Sequence, residues 1–322
     1  MSTEIRGEKI CITGGAGFIG TSLCRRLCAH NDLVVLDNLK RDSLTPTGLI
    51  EKGGIKLIKG DVCNIEDVRT ALEDATVVIH LASVAGVDTV IKNPVLTMEV
   101  SIKGTMNVLD EAVKNTKLKR IIDFSTSEVF GRYAWRVAEG DVTSLGAVGE
   151  ARWTYAVSKL ATEHLAYNMY KQHGLPSVSI RPFNIYGPGQ VGEGAIHHFV
   201  VRAINNDPIE IHNEGDQIRA WCFIDDLIDG VLRCITHPDA VGQTFNIGNP
   251  RSAITVFSLA GLVRNLADSS SEIVHVERNA QDIELRVPDI GKARKLLGFR
   301  PQVELEQGLQ ATIEWYRQKG HK

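Results

Sequence analysis

In the first half of the chain, short apolar runs alternate with segments whose apolar positions recur at helical spacing. The runs predict strands at 9–13, 33–37, 55–60, 77–82, 120–125 and 177–181. Several are apolar throughout, as expected when helices cover both faces of a sheet. The periodic segments predict helices at 18–30, 65–72, 95–115 and 154–173. Strand–helix repetition of this kind implies right-handed crossovers and a parallel, doubly wound α/β sheet. After Arg181 the rhythm breaks, because Pro182, Gly187, Pro188, Gly189, Gly192 and Gly194 punctuate a loop-rich stretch. Shorter elements follow, closing with an amphipathic helix at 305–318. The pattern predicts a main domain over 1–181 and a smaller lobe over 182–322, with some later segments returning to the main sheet.

The first strand runs into Thr13-Gly-Gly-Ala-Gly-Phe-Ile-Gly20. Gly14 suits a tight turn, Gly17 a close backbone approach to a pyrophosphate, and Gly20 close helix–strand packing; Phe18 and Ile19 open the helix. The free N–H groups of that helix start attract phosphate. The second strand ends in Asp37, followed by Asn38. A carboxylate there accepts bonds from the adenosine ribose and repels the extra phosphate of NADP, so NAD is the expected cofactor. Asp61 and Val62 close the third strand within reach of an adenine. Leu81, Ala82 and Ser83 close the fourth beside the cofactor, and His80 reads as a packed wall.

Catalytic chemistry is suggested by Ser125-Thr-Ser-Glu128 and by Tyr155-Ala-Val-Ser-Lys159. A Tyr and a Lys four apart share one helix face. An ammonium one turn away favours the phenolate, so Tyr155 is expected to have a lowered pKa and to take a proton from a sugar or alcohol hydroxyl. The Thr126 hydroxyl completes that site by bonding the same oxygen.

Composition narrows the setting. Charged residues are 23% of the chain and the net charge is −3, with no basic footprint for nucleic acid. No apolar run approaches the roughly 20 residues of a membrane span. The polar start runs straight into a strand, which reads as no signal peptide and a cytoplasmic protein. Six cysteines without a Cys-x-x-Cys pair read as buried small hydrophobes rather than metal ligands.

These motifs, together with His80–Ser83, Arg181-Pro-Phe-Asn184, Gln217-Ile-Arg219, Phe245-Asn-Ile-Gly248 and Arg286, resemble the extended short-chain dehydrogenase/reductase superfamily. The resemblance is to its nucleotide-sugar epimerase/dehydratase/decarboxylase group. It implies a Rossmann-type sheet with a C-terminal substrate lobe, a nucleotide-diphosphate sugar as substrate, and oxidation at C4 with bound NAD regenerated. Tyr155 is then the base, Lys159 holds the nicotinamide ribose, and Asn184, Arg219 and Arg286 hold the diphosphate. A homodimer through helices 95–115 and 154–173 is also implied, with Leu160, Ala161, Leu165 and Met169 as candidate contacts that equally suit the core.

After oxidation, epimerisation, dehydration and decarboxylation compete. Glu128 is placed to act as a base at C5. Arg152-Trp153-x-Tyr155 and Gln281-Asp-Ile-Glu-x-Arg286 look like uronate decarboxylases, whereas Ala85-Gly-Val-Asp88 looks like generic epimerases. The expected function is therefore an NAD-dependent nucleotide-sugar epimerase/dehydratase, with a uronate decarboxylase as the alternative. A catalytically silent NAD-binding regulator is the alternative from another class, and the intact Thr126, Tyr155 and Lys159 oppose it.

Overall fold

The computed structural model describes residues 4–278 and 283–320; Gln281 and Asp282 of the decarboxylase-like pattern, and the first three residues, lie outside them. The main sheet is built from β1 (Lys9–Thr13), β2 (Asp32–Asp37), β3 (Ile55–Lys59), β4 (Val77–His80) and β5 (Arg120–Phe124), joined later by two further strands. The helices between them are α1 (Phe18–Leu27), α2 (Ile65–Leu72), α3 (Val87–Lys92) and α4 (Pro94–Lys114). After β6 (Tyr133–Val137), α5 (Thr154–His173) leads into β7 (Ser177–Pro182). The remainder comprises β8 (Ile185–Tyr186), α6 (Ala195–Asn205), β9 (Ile209–His212), β10 (Ile218–Ala220), β11 (Cys222–Phe223) and α7 (Ile224–Thr236). It continues through β12 (Thr244–Ile247), β13 (Ala253–Thr255), α8 (Val256–Leu266), β14 (Ile273–Val276), β15 (Leu285–Pro288), α9 (Gly291–Leu297) and α10 (Leu305–Lys319).

Seven parallel strands take the order β12-β7-β5-β4-β1-β2-β3. Alternate side chains enter two separate cores. Ile10, Ile12, Val35, Ile79 and Ile122 face one, and Cys11, Val34, Leu36, Val78 and Ile121 face the other. That two-sided burial is why the strands read as apolar runs without alternation. Chain order reverses between β1 and β4, which opens a crevice at the carboxyl ends of the strands.

A second, four-stranded sheet takes the order β13-β10-β15-β6. Each sheet draws strands from both halves of the chain. Strand β12, from the second half, closes the edge of the main sheet beside β7. Strand β6, from the first half, pairs with β15 in the small sheet. The first pairing joins residues about sixty-five positions apart and the second about a hundred and fifty, which no local pattern reveals.

Candidate active site

The glycine turn is fixed by contacts on both sides. Gly14 has φ +69°, and a Cβ there would lie 2.7 Å from the backbone N of Ala82. A Cβ on Gly20 would run into the backbone of Gly15, so helix and turn can pack only as glycines. Asp37 steadies the same turn: its Oδ2 accepts from Ala16 N at 3.0 Å and its Oδ1 from Leu39 N at 2.7 Å. Each oxygen keeps a lone pair for a further donor. Burial raises the Asp37 pKa against those bonds.

A groove of about 520 Å³ runs along the crevice. It brings together Gly14, Gly17, Phe18, Ile19, Gly20, Asp37, Asn38, Asp61, Val62, Leu81, Ala82 and Ser83, and ends on Tyr155 and Lys159. His80 does not line it. That ring is 1% exposed, with Nδ1 2.6 Å from Thr13 Oγ1 and Nε2 2.9 Å from Thr105 Oγ1. Since the Thr105 hydroxyl donates to Ser101 O, it accepts from Nε2–H, and the Thr13 hydroxyl donates to Nδ1. Burial, then the nearby Lys159 charge, pushes the imidazole down to about 3.

The groove fits a dinucleotide on this structure's own terms. Its pyrophosphate end has the collision-limited glycine turn at a helix start, and its adenosine end has Asp37. At the far end the Lys159 ammonium is 1% exposed and its Nζ has no hydrogen-bond partner among the described residues. An ordered buried cation without a partner is costly, and ribose hydroxyls would satisfy it.

A second cavity of about 250 Å³ opens against the same tyrosine. Thr126, Glu128, Asn184, Arg219 and Arg286 meet there with Tyr155. Thr126 caps the short turn Ser127–Phe130, accepting from Glu128 N at 3.2 Å, and its hydroxyl lies beside the Tyr155 phenol and favours the phenolate. Asn184 holds a left-handed φ of 41°, and its amide donates to Ala220 O at 2.9 Å. Arg286 is fully buried and donates to Ser127 Oγ at 3.2 Å and Gly131 O at 2.8 Å. Arg219 Nη2 donates to Ile283 O at 3.4 Å.

Three features go beyond the sequence reading, in which Arg152 stood only as part of a motif. Arg152 lines the cavity and its Nη1 donates to Glu128 Oε2 at 2.5 Å, with only 7% of the arginine side chain exposed. Its position three residues before Tyr155 was the available signal. Glu193 lines the opposite wall, accepting from Asp88 N at 2.7 Å, from Thr89 and from Arg41. The third concerns the Tyr155 phenol, whose expected lowering is corrected. Burial, with the Glu128 and Asp123 carboxylates, drives its pKa up, and only the Thr126 bond acts the other way. Desolvation of the phenolate decides the direction, and the ammonium one turn away does not reverse it.

A nucleotide groove, a Tyr/Lys pair at its end and an adjoining cationic cavity define an NAD-dependent enzyme of the short-chain dehydrogenase/reductase type acting on nucleotide sugars. The chain belongs to the NAD dependent epimerase/dehydratase family, whose model matches residues 10–248. It is 31% identical to the UDP-N-acetyl-alpha-D-glucosaminuronate decarboxylase of Bacillus cytotoxicus, over 97% of this chain and 98% of that protein. It is 32% identical to UDP-glucuronic acid decarboxylase 5 of Arabidopsis thaliana, over 98% of this chain and 93% of that one. Among solved structures, UDP-glucuronic acid 4-epimerase from Bacillus cereus in complex with UDP-glucuronic acid and NAD superimposes with a TM-score of 0.87. That match has 28% identity and covers 97% of this chain and 99% of the other.

Proposed function

We propose that the chain oxidises C4 of a UDP-linked sugar acid and that the 4-keto sugar then loses its C6 carboxylate as CO2. One observation carries the choice of outcome. Both carboxylates lining the cavity are engaged, Glu128 by Arg152 and Glu193 by Thr89 and the Asp88 backbone, and the chain neighbour of Glu128 is Ser127. Expelling hydroxide from C6 requires an acid at the departing oxygen. Losing CO2 requires none: the C5–C6 bond breaks, its electron pair flows onto the C4 carbonyl, and C5 then takes up a proton. The names of the relatives and of the Bacillus cereus structure also support a UDP-uronate.

In this reading Tyr155 Oη takes the C4 hydroxyl proton as the phenolate, which the positive charge of bound NAD would favour against burial, while Thr126 bonds the same oxygen. Lys159 holds the nicotinamide ribose; Gly14, Gly17, Phe18, Ile19 and Gly20 hold the pyrophosphate; Asp37 and Asn38 hold the adenosine ribose. Asp61 and Val62 border the adenine, and Leu81, Ala82 and Ser83 the rest of the cofactor. NAD supplies the hydride acceptor at C4 and the donor for its return. Asn184, Arg219 and Arg286 hold the diphosphate, whose binding energy orients the reacting ring. Glu128, fixed by Arg152, orients the C5 substituent.

A second reading, 4-epimerisation with the carboxylate retained, is supported by the likeness to UDP-glucuronic acid 4-epimerase. The test is a panel of UDP-glucose, UDP-glucuronate and UDP-N-acetylglucosaminuronate read by NMR. Turnover of the acids to UDP-pentoses supports the first reading, and a UDP-uronate epimer supports the second. Turnover confined to UDP-glucose overturns both.

The proposal includes a homodimer through α4 and α5, which pack side by side. Leu160, Leu165 and Met169 pack inward, and the exposed apolar face is formed by Met106, Val113, Val157 and Tyr167 with Ala161. A monomer in sedimentation at micromolar concentration would remove this part. A cytoplasmic location also belongs to the proposal, since six free cysteines suit a reducing compartment. No helix among the described residues is long and apolar enough to cross a membrane.

A further inference from the structure

Beneath the Tyr/Lys pair lies a buried group of charges. On α5, Tyr155, Lys159 and Glu163 follow one another at four-residue spacing, and the helix packs on β5 and β7. Across the sheet, His80, Asp123 and Ser179 stand in register on β4, β5 and β7. Asp123 is 1% exposed and neither carboxylate oxygen makes a well-formed hydrogen bond among the described residues. On α5, which packs on this strand, the Lys159 Nζ is likewise buried without a hydrogen-bond partner among the described residues.

The other charges in this layer have partners. Glu163 takes a two-point bond from Arg181, Nη2 to Oε1 at 2.7 Å and Nε to Oε2 at 3.0 Å, plus the hydroxyls of Ser125 and Thr244. His80 is neutral between two threonine hydroxyls, and the Ser179 hydroxyl, which also favours the ionised Asp123, carries no charge. Burial alone would drive Lys159 towards the neutral amine, and Asp123 is the charge that opposes this. Reciprocally, burial raises the Asp123 carboxyl to about 6 while Lys159 works to lower it. Across this layer each of the two charges therefore favours the ionised form of the other.

We propose that Asp123 is a positioning residue for the reaction, the buried counter-ion that keeps Lys159 protonated beneath Tyr155. The role rests on the reading of Lys159 given above. The geometry explains why a strand otherwise apolar from Ile121 to Phe124 carries an acid at a fully buried position. Without a cation to face it, a carboxylate there would be strongly unfavourable.

The first test needs no substrate. A thermal-unfolding cycle compares the intact chain with Lys159→Met, Asp123→Asn and the double variant. Lys159→Met strands a buried carboxylate and should lower the unfolding midpoint by roughly 5 °C. Adding Asp123→Asn should recover at least half of that loss. Losses that simply add would overturn the pairing.

The second test is the pH profile of turnover in Asp123→Asn. Removing the counter-ion should move the alkaline limb, where Lys159 loses its proton, down by about one pH unit, a tenfold change in proton affinity. An unmoved alkaline limb with the acid limb shifted downward would mean that Asp123 acts only as a negative charge near Tyr155, and the proposal would fall. Failure of the reading of the site itself appears elsewhere, as unchanged turnover in Tyr155→Phe, so the two failures are separable.

Discussion

The His80 environment yields a signed prediction for stability against pH. The imidazole is held neutral between Thr13 and Thr105, and its folded pKa lies at about 3 against an ordinary 6.5. Because the folded value is depressed, the unfolded chain binds the extra proton first. The contribution of His80 is complete above pH 6.5 and is lost as pH falls from there towards 3. The loss amounts to about 1.4 kcal/mol per pH unit, or about 2.7 kcal/mol by a pH two units below the unfolded value. Asp123 works with the opposite sign, since its folded pKa is raised from 3.8 to about 6. Its contribution is complete below 3.8 and is lost as pH rises through about 6. Between those values the two effects offset each other, so the intact chain alone would show little. The informative quantity is the difference from His80→Gln, which still donates to Thr105 and does not titrate. Urea unfolding of both chains at neutral pH and at about two units below the unfolded His80 value should show the advantage of the parent shrinking by about 2 to 3 kcal/mol. A difference independent of pH would refute the reasoning, because it would mean that His80 is free to charge in the folded chain.

Tyr155→Phe should keep NAD binding within a few-fold and reduce turnover by orders of magnitude, measured by cofactor titration and product NMR. Arg152→Gln leaves Glu128 charged beside Tyr155, and turnover should fall by about one to two orders of magnitude, the equivalent of about 1.5–3 kcal/mol. Adding Glu128→Gln to that variant should restore part of the loss, whereas additive losses would show the pair uncoupled. Gly14→Ala places a Cβ 2.7 Å from Ala82 N at a φ of +69°, and should abolish NAD binding in calorimetry or unfold the first turn. An unaltered affinity would refute the tight-turn account.

Much of this arrangement was legible before any coordinates. The parallel sheet follows from apolar runs at β1, β2, β4 and β5, and the glycine turn, Asp37 and the Tyr155/Lys159 spacing are local patterns with local causes. What stayed hidden depends on distance along the chain. Strand β12 joins β7 across more than sixty residues, and Arg152 meets Glu128 across 24. Solvation was equally invisible: the spacing of Tyr155 and Lys159 suggests a lowered phenol pKa, yet burial decides the direction. One signal was available and unused. An acid inside Arg120-Ile-Ile-Asp-Phe124 calls for a cation or a ligand once the strand is buried, and the charge of Lys159 is the one that acts to keep it ionised.

The central claim, oxidation at C4 followed by loss of C6, is tested most directly with UDP-glucuronate carrying a carbon-13 label at C6. Incubated with the enzyme, the label should leave the sugar and appear as bicarbonate in the carbon-13 spectrum, one for each UDP-pentose formed, with none released by Tyr155→Phe. Label retained in a UDP-uronate epimer, or in unreacted substrate, would contradict it.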